Sequence, residues 1–261
     1  MKKFINDIKK YRRYILYATK AELNAEVANS YLGALWWVLD PLFFMLIYTF
    51  ISVVVFKSSE QYFPVFVFIG LTIWNFFNKV LTTAPRLVQS NKDIVTKVYI
   101  PKYILLIEKI CVNGFKMFIS LLLVIVMMLI YQVPVSLNVF FLIPIFITLF
   151  VITFAASTIL MHFGVFVEDL SNFTVIFLRL VFYLSGIFYL VSTRLPSPYN
   201  GILLSINPIA YLIENARNAL LYAKPVDPTI MIVWFIIGII ISYIGIKIIY
   251  KYENSYVKVI K

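Results

Sequence analysis

Charged side chains buried in apolar stretches are the residues with chemistry to offer. Arg179, in FTVIFLRLVFYLSGIFYLV, stands about six residues inside its run, about 9 Å along a helix. At that depth a guanidinium either snorkels back to the membrane surface or faces inward to meet an anionic substrate, and the sequence allows both. Asp40-Pro41, in SYLGALWWVLDPLFFMLIYTFIS, lies roughly 6–8 Å into the apolar part. Here the spacing predicts a helix N-cap followed by a first-turn proline, with a transport role as the alternative. Glu214 and Arg217, three apart, can pair on one helical face, as a simple salt bridge or as a gate element. Aromatic residues with a few polar companions complete the set: Trp36, Trp37, Tyr48, Trp74, Asn75, Phe76, Phe77, Asn78, Phe182, Tyr183 and Tyr189. Interfacial anchoring accounts for several of these. The Trp74–Asn78 run lies nearer the middle of its span, where flat aromatic faces could give sugar rings sliding apolar contact.

Chemistry of the catalytic kind has little support. No glycine is followed by lysine, so a phosphate-binding loop is absent, and His-Glu-x-x-His, paired-cysteine and Gly-x-Ser-x-Gly arrangements are missing too. The single histidine, His162, has no second ligand at metal spacing and reads as a packed residue, so no metal site is expected. Cys111 is the single cysteine, which excludes an intrachain disulfide. The chain is expected not to be an enzyme and to hold no cofactor of its own.

Composition names the solvent. Of 261 residues, 62% are hydrophobic and 13% charged, far from the balance of a soluble domain. The net charge of +11 gathers in the N-terminal arm, one middle loop and the C-terminus. That distribution fits cytoplasmic segments of a multi-pass membrane protein better than nucleic-acid binding, which is not expected. No cleavable signal peptide is read in MKKFINDIKKYRRYILYATK.

The fold expected is an all-α membrane protein with six transmembrane helices. Residues 1–33 form an N-terminal amphipathic helix, its stripe of Phe4, Ile8, Tyr11 and Ile15 set into the inner membrane surface. Residues 34–261 form the membrane domain. Spans are predicted at Ala34–Phe56, Tyr62–Ala84, Tyr103–Tyr131, Leu137–Val165, Phe173–Val191 and Pro228–Tyr250, with an outer turn at Lys57–Gln61. Between the second and third spans, residues 91–99 read as a short amphipathic helix. Asn91 is its N-cap, Asp93 lies in its first turn, and Ile94, Val95 and Val98 make an apolar face that calls for a partner. Pro101 ends it. Val167–Asn172 is a second, acidic inner turn carrying Glu168 and Asp169.

Region 192–227 is broken by Pro196, Pro198, Gly201, Pro208 and Pro225 into apolar pieces too short to cross. A single crossing here would put Lys247, Lys251, Lys258 and Lys261 outside. The region is therefore expected to dip in from the outer face and return, leaving the tail 251–261 and both termini cytoplasmic.

SYLGALWWVLDPLFFMLIYT, FPVFVFIGLTIWNFF, the Asn91–Lys102 loop ending KVYIPK, and INPIAYLIENARNALL occur in that order over nearly the whole chain. Together they resemble the permease subunit of type-2 ABC exporters. More narrowly, they are similar to the permeases that export teichoic acid, O-antigen and capsular polysaccharides on a polyprenyl-diphosphate lipid. The resemblance implies a homodimeric permease in the bacterial plasma membrane, bound to two ABC ATPase subunits that carry the ATP and Mg. It further implies that Asn91, Asp93, Ile94, Val95, Lys97, Val98 and Tyr99 couple to the ATPase, with Glu168 and Asp169 as a second contact. Asn207, Glu214 and Arg217 would belong to external re-entrant helices that gate the path. Arg179, in LRLVFYLSG, would meet the lipid diphosphate, and the aromatic set Trp36, Trp37, Tyr48, Trp74, Phe76, Phe77 and Tyr183 would line the path. Two residues depart from the usual pattern: Asp40, where an uncharged polar residue often precedes the proline, and Glu168-Asp169, where Arg-Asp is common. The alternatives are an exporter of a drug or small lipid with the same architecture and, from another class, an enzyme that modifies polyprenyl lipids.

Overall fold

A computed structural model of the chain describes residues 2–28, 30–55, 60 and 62–260, and every regular element among them is helical. The chain opens on α1 (Lys2–Ala28), turns through Gly33–Leu35 and enters α2 (Trp36–Phe50), which continues as a wider π-helical turn at Ile51–Val55. Then follow α3 (Phe63–Thr83), a 3-10 turn at Ala84–Arg86, and the short α4 (Leu87–Ser90) and α5 (Lys92–Lys97). The long α6 (Lys102–Ile130) and α7 (Leu142–Phe166) lead to α8 (Leu170–Leu184). Three short helices, α9 (Val191–Arg194), α10 (Tyr199–Ile206) and α11 (Pro208–Leu220), precede the final α12 (Pro228–Ile260).

Among the described residues, five stretches are long and apolar enough to cross a membrane: Gly33–Val54, Phe63–Ser90, Lys102–Ile130, Leu137–Phe166 and Pro228–Tyr256. The segment expected as a further span, Phe173–Val191, is shorter as a helix. Only the 15 residues of α8 are helical, about 22 Å against some 30 Å of hydrocarbon. Its stop is local: Gly186 takes φ +65, and a Cβ there would press on Val191 Cγ2 at 2.6 Å. Apart from Glu60, the outer turn expected at Lys57–Gln61 lies outside the described residues, as does Phe56 at the end of the first span.

Around α3 the bundle is assembled. This helix is buried along most of its length between α2, α6, α7, α8 and α11. The closest pair is α7 with α12, where glycines bring backbones together. A Cβ at Gly238 would lie 2.8 Å from Val151 Cγ1, and one at Gly245 would overlap the Thr158 side chain.

Two sequence expectations change in the structure. Asp40-Pro41 does not restart a helix, because α2 runs through it with Pro41 inside. The preceding turn Gly33–Leu35 is already helical, so the helix begins upstream and absorbs the proline instead of being capped by Asp40. The α1 stripe, in turn, faces protein. Phe4 packs against Tyr103 and Phe154 with ring centroids 5.2 and 6.1 Å apart, and Ile15 is buried in the second core cluster. Two ion pairs hold α1 to α6: Glu22 with Lys109 at 2.5 Å and Glu26 with Lys116 at 2.6 Å.

Region 192–227 contains the expected short helices. Asn207 separates α10 from α11 and caps the latter, its Oδ1 accepting from the N–H of Ile209 at 3.0 Å and Ala210 at 3.2 Å, with Pro208 at the first helical position. Asn207→Ala is expected to destabilise the protein by about 1–2 kcal/mol through the lost cap. Asn207→Asp, which keeps the accepting oxygen, should recover part of that in thermal unfolding of the purified protein.

Candidate functional site

One end of the bundle, called here the basic end, gathers α1, α4, α5 and the C-terminal part of α12. Asn91 occupies the N-cap position of α5, but its side chain turns back to α4, Nδ2 donating to Leu87 O at 2.8 Å. Its carbonyl accepts from Ile94 N and Val95 N and starts the new helix by backbone alone. Asp93 in the first turn and Lys97 in the last have the signs that suit the helix dipole. Val98 then becomes extended and the chain leaves toward Pro101. Val95 is buried and anchors the element. Ile94, Val98 and Tyr99 are exposed, an apolar patch framed by exposed Lys92, Asp93 and Lys97.

Two clefts flank this patch. Arg86, Gln89, Ser90 and Glu168 line one of about 370 Å³, which brings the α7–α8 turn beside α4. Asp169, also exposed, is the N-cap residue of α8. A second, of about 220 Å³, lies between α5 and α12 and is lined by residues 95–99, Lys102, Glu253 and Asn254. In it Tyr99 Oη donates to Glu253 Oε1 at 2.8 Å. Partial desolvation, then the bonded Glu253 carboxylate, pushes the Tyr99 phenol up to about 12.

At the other end, three side chains from the α11 region hold one short stretch, Leu184–Ser192. Asn207 Nδ2 donates to Ser185 Oγ at 3.1 Å and Leu184 O at 3.3 Å. Glu214 Oε2 accepts from the N–H of Val191 at 2.9 Å and Ser192 at 3.3 Å, where α9 begins. Arg217, 1% exposed, donates to Gly186 O and Ile187 O at 2.6 Å and, across the bundle, to Phe66 O at 3.0 Å. The expected Glu214–Arg217 salt bridge is not among the ion pairs of the described residues. The carboxylate is taken by two amides and the guanidinium by carbonyls, so each neutralises a different part of the same loop. Sequence spacing put both residues on one helical face, but the segment they grip has no signal of its own beyond Ser185-Gly186.

The aromatic residues divide between core and surface. Trp74, Phe76 and Phe77 are 4%, 3% and 8% exposed. Trp74 stacks edge-on against Phe182 at 5.4 Å, and Tyr48 meets Phe188 at 4.5 Å, a seam joining α2, α3 and α8. Phe76 turns the other way, to Phe150 of α7, and Trp37 packs on Phe115. Within one chain Trp74, Phe76 and Phe77 fill the bundle, because α3 is enclosed by other helices. Trp36 and Tyr183 are exposed. So are Arg179, beside Phe173, Ile176, Phe177 and Leu180 on α8, and Asp40, beside Phe43, Phe44 and Ile47 on α2. His162 is packed among Phe163, Phe166, Tyr252 and Tyr256, with Nδ1 2.7 Å from Tyr256 Oη. Among the described residues no group of three or more His, Cys, Asp or Glu is placed to hold a metal ion.

The arrangement therefore offers an exposed apolar patch between two clefts, a held loop and exposed charges on apolar helices. Residues 14–221 match the family profile described as ABC-2 type transporter. The chain is 26% identical over 247 residues to "O-antigen export system permease protein RfbA" of Klebsiella pneumoniae, covering 94% of each protein. A protein of the same name from Myxococcus xanthus is 28% identical over 216 residues, 82% of this chain and 83% of the other.

Proposed function

We propose that this chain, which belongs to the ABC-2 type transporter family, is the membrane-spanning subunit of an ATP-driven exporter of lipid-linked cell-surface polysaccharide. The observation that carries this reading is the similarity, over nearly its full length, to permeases of O-antigen export systems. The substrate class is a glycan of O-antigen or teichoic-acid type on a polyprenyl diphosphate. ATP and Mg belong to a separate ATPase subunit, since this sequence has no phosphate-binding loop.

The two ends of the chain support a topology with both termini on one side of the membrane. Asp7 and Tyr250 share a hydrogen bond across 243 positions, so α1 and the end of α12 lie on one side. An even number of crossings must separate them. Five stretches qualify by length, and α8 with the loop after it supplies the sixth. Helices α10 and α11, of 8 and 13 residues, are then re-entrant from the outer face. The lysines of α1 and α12 make the basic end cytoplasmic in a bacterial plasma membrane, and α1 presents its exposed Ile5, Leu16 and Tyr17 to the inner leaflet.

Two copies of the chain enclose the path with their α2 and α8 faces. An exposed carboxylate and an exposed guanidinium are costly against lipid tails and suit a protein-lined, watery route. Arg179 receives the diphosphate, and Trp36 and Tyr183 with the neighbouring apolar residues contact the glycan. Two ATPase subunits seat on the α5 patch and on Glu168 and Asp169, while Asn207, Glu214 and Arg217 set the outer gate.

Export of polysaccharide to the cell surface, measured with the ATPase co-produced and permease levels matched, tests these assignments. Val98→Asp places an unpaired charge at the docking patch, and Arg179→Ala removes the headgroup cation. Each is expected to lower export on the order of tenfold or more. Wild-type export by both variants would end the reading of these sites.

A further inference from the structure

Resting on the ATPase-coupled reading above, we infer that the two chain ends and the coupling segment are locked into one lever by a two-rung brace of carboxylates and tyrosines. Three segments each supply two residues: Asp7 and Tyr11 one turn apart on α1, Tyr250 and Glu253 one turn apart on α12, and Tyr99 and Tyr103 on either side of the extended entry to α6. The first rung is Asp7–Tyr103–Tyr250. Asp7 Oδ2 accepts from Tyr103 Oη at 2.6 Å and from Tyr250 Oη at 2.5 Å, and the two phenol oxygens are 2.5 Å apart. Two phenols carry two protons for three short edges, so two edges are bonds at any moment and the carboxylate always receives at least one. Hydrogen bonds to an ionised acceptor are the strong kind, and Tyr103 is fully buried. Lys3 adds its ammonium 4.1 Å above the Tyr250 ring.

The second rung is Tyr11–Tyr99–Glu253. Tyr99 Oη donates to Glu253 Oε1 at 2.8 Å, and Tyr11 Oη donates to the Tyr99 carbonyl at 3.2 Å. Tyr99 continues the exposed patch of α5 without a break. Force applied at α5 thus reaches the exposed rung first and passes through the half-buried rung to α1 and α12. From α12 it reaches α7, its closest packing partner. The helices move together because each rung includes a hydrogen bond to a carboxylate and the first rung is partly buried. Asp7, Tyr99, Tyr103, Tyr250 and Glu253 are positioning residues and touch no substrate in this scheme.

The test compares wild type, Glu253→Ala, which removes the carboxylate of the exposed rung, and the double variant Tyr103→Phe/Tyr250→Phe, which deletes two hydroxyls and keeps the rings. In proteoliposomes holding the permease–ATPase complex, export per ATP hydrolysed is expected to fall about tenfold in the double variant and severalfold in Glu253→Ala, with hydrolysis itself retained. A structural role alone would lower both together. An unchanged ratio in complexes of wild-type yield overturns the brace. Should the double variant fail to assemble, the exposed rung decides alone, and an unchanged ratio in Glu253→Ala has the same meaning.

Hydrogen exchange on the permease by itself separates the brace from the function it rests on. Amides of α1 are expected to exchange about tenfold faster in the double variant. Equal exchange refutes the brace even if export is ATP-driven. Faster exchange beside a wild-type complex that never exports would keep the brace and remove the exporter.

Discussion

Arg217→Lys is expected to cost the protein about 3–5 kcal/mol and to abolish export, although it conserves the charge. The guanidinium satisfies buried carbonyls on two separate elements: Phe66 on α3, and Gly186 and Ile187 in the loop after α8. Its plane also stands 3.5 Å from the Phe66 ring centroid. That geometry needs a rigid fork of several donors, which an ammonium on a flexible stem cannot reproduce. A lysine would reach one side and leave the other carbonyls buried without partners. No neighbour can move in to help. A Cβ on Gly70 would lie 2.6 Å from Arg217 Nη2, so α3 comes closer to the guanidinium than any side chain at that position would permit. Glu214→Gln, which retains an accepting oxygen for the Val191 and Ser192 amides, should cost only about 1 kcal/mol. Thermal unfolding in detergent ranks the two variants. An Arg217→Lys protein that melts with wild type would show that the clamp on residues 184–192 contributes nothing.

That clamp marks the boundary of what could be read from sequence. Proline and glycine punctuation divided 192–227 into short apolar pieces, because chain breaks are encoded locally, and α10 and α11 occupy those pieces. The helix expected over 91–99 was legible in part for the same reason: α5 covers Lys92–Lys97, and the extended residues before Pro101 leave Val98 and Tyr99 outside it. Partner choice is not local. Glu214 and Arg217 share a helical face, yet backbone groups in a loop far off in sequence compete for both and win, since a buried amide or carbonyl left alone is costly. The α1 stripe shows the same effect. Its period announced an amphipathic helix, but period alone does not say whether lipid or α6 covers the face. The deciding signals were Glu22 and Glu26 one turn apart on α1 and Lys109 and Lys116 two turns apart on α6, a match visible only once the two helices are side by side. Asp40-Pro41 failed differently. A capping pattern was read where the helix had already begun three residues before Trp36.

Gly164→Ala is expected to impair export on the order of tenfold while the protein still inserts and accumulates, with a stability loss of about 1–3 kcal/mol from overpacking. Gly164 lies in the last turn of α7, and an added Cβ would overlap the backbone of Pro85. A side chain in the way could swing aside; a proline backbone in a 3-10 turn cannot. Either α7 or the Ala84–Arg86 turn must therefore shift. The turn leads directly into α4 and α5, and Arg86, Gln89 and Ser90 line the cleft shared with Glu168. Displacing it moves the proposed ATPase seat relative to the helix that should receive the push, so coupling suffers before folding does. Gly201→Ala is the matching control, because nothing lies within 4 Å of its Cβ and α10 should gain helix propensity of about 1 kcal/mol. Surface polysaccharide measured per unit of membrane-inserted permease distinguishes the cases. If Gly164→Ala exports as Gly201→Ala does, the contact between α7 and the turn is not part of the transmission.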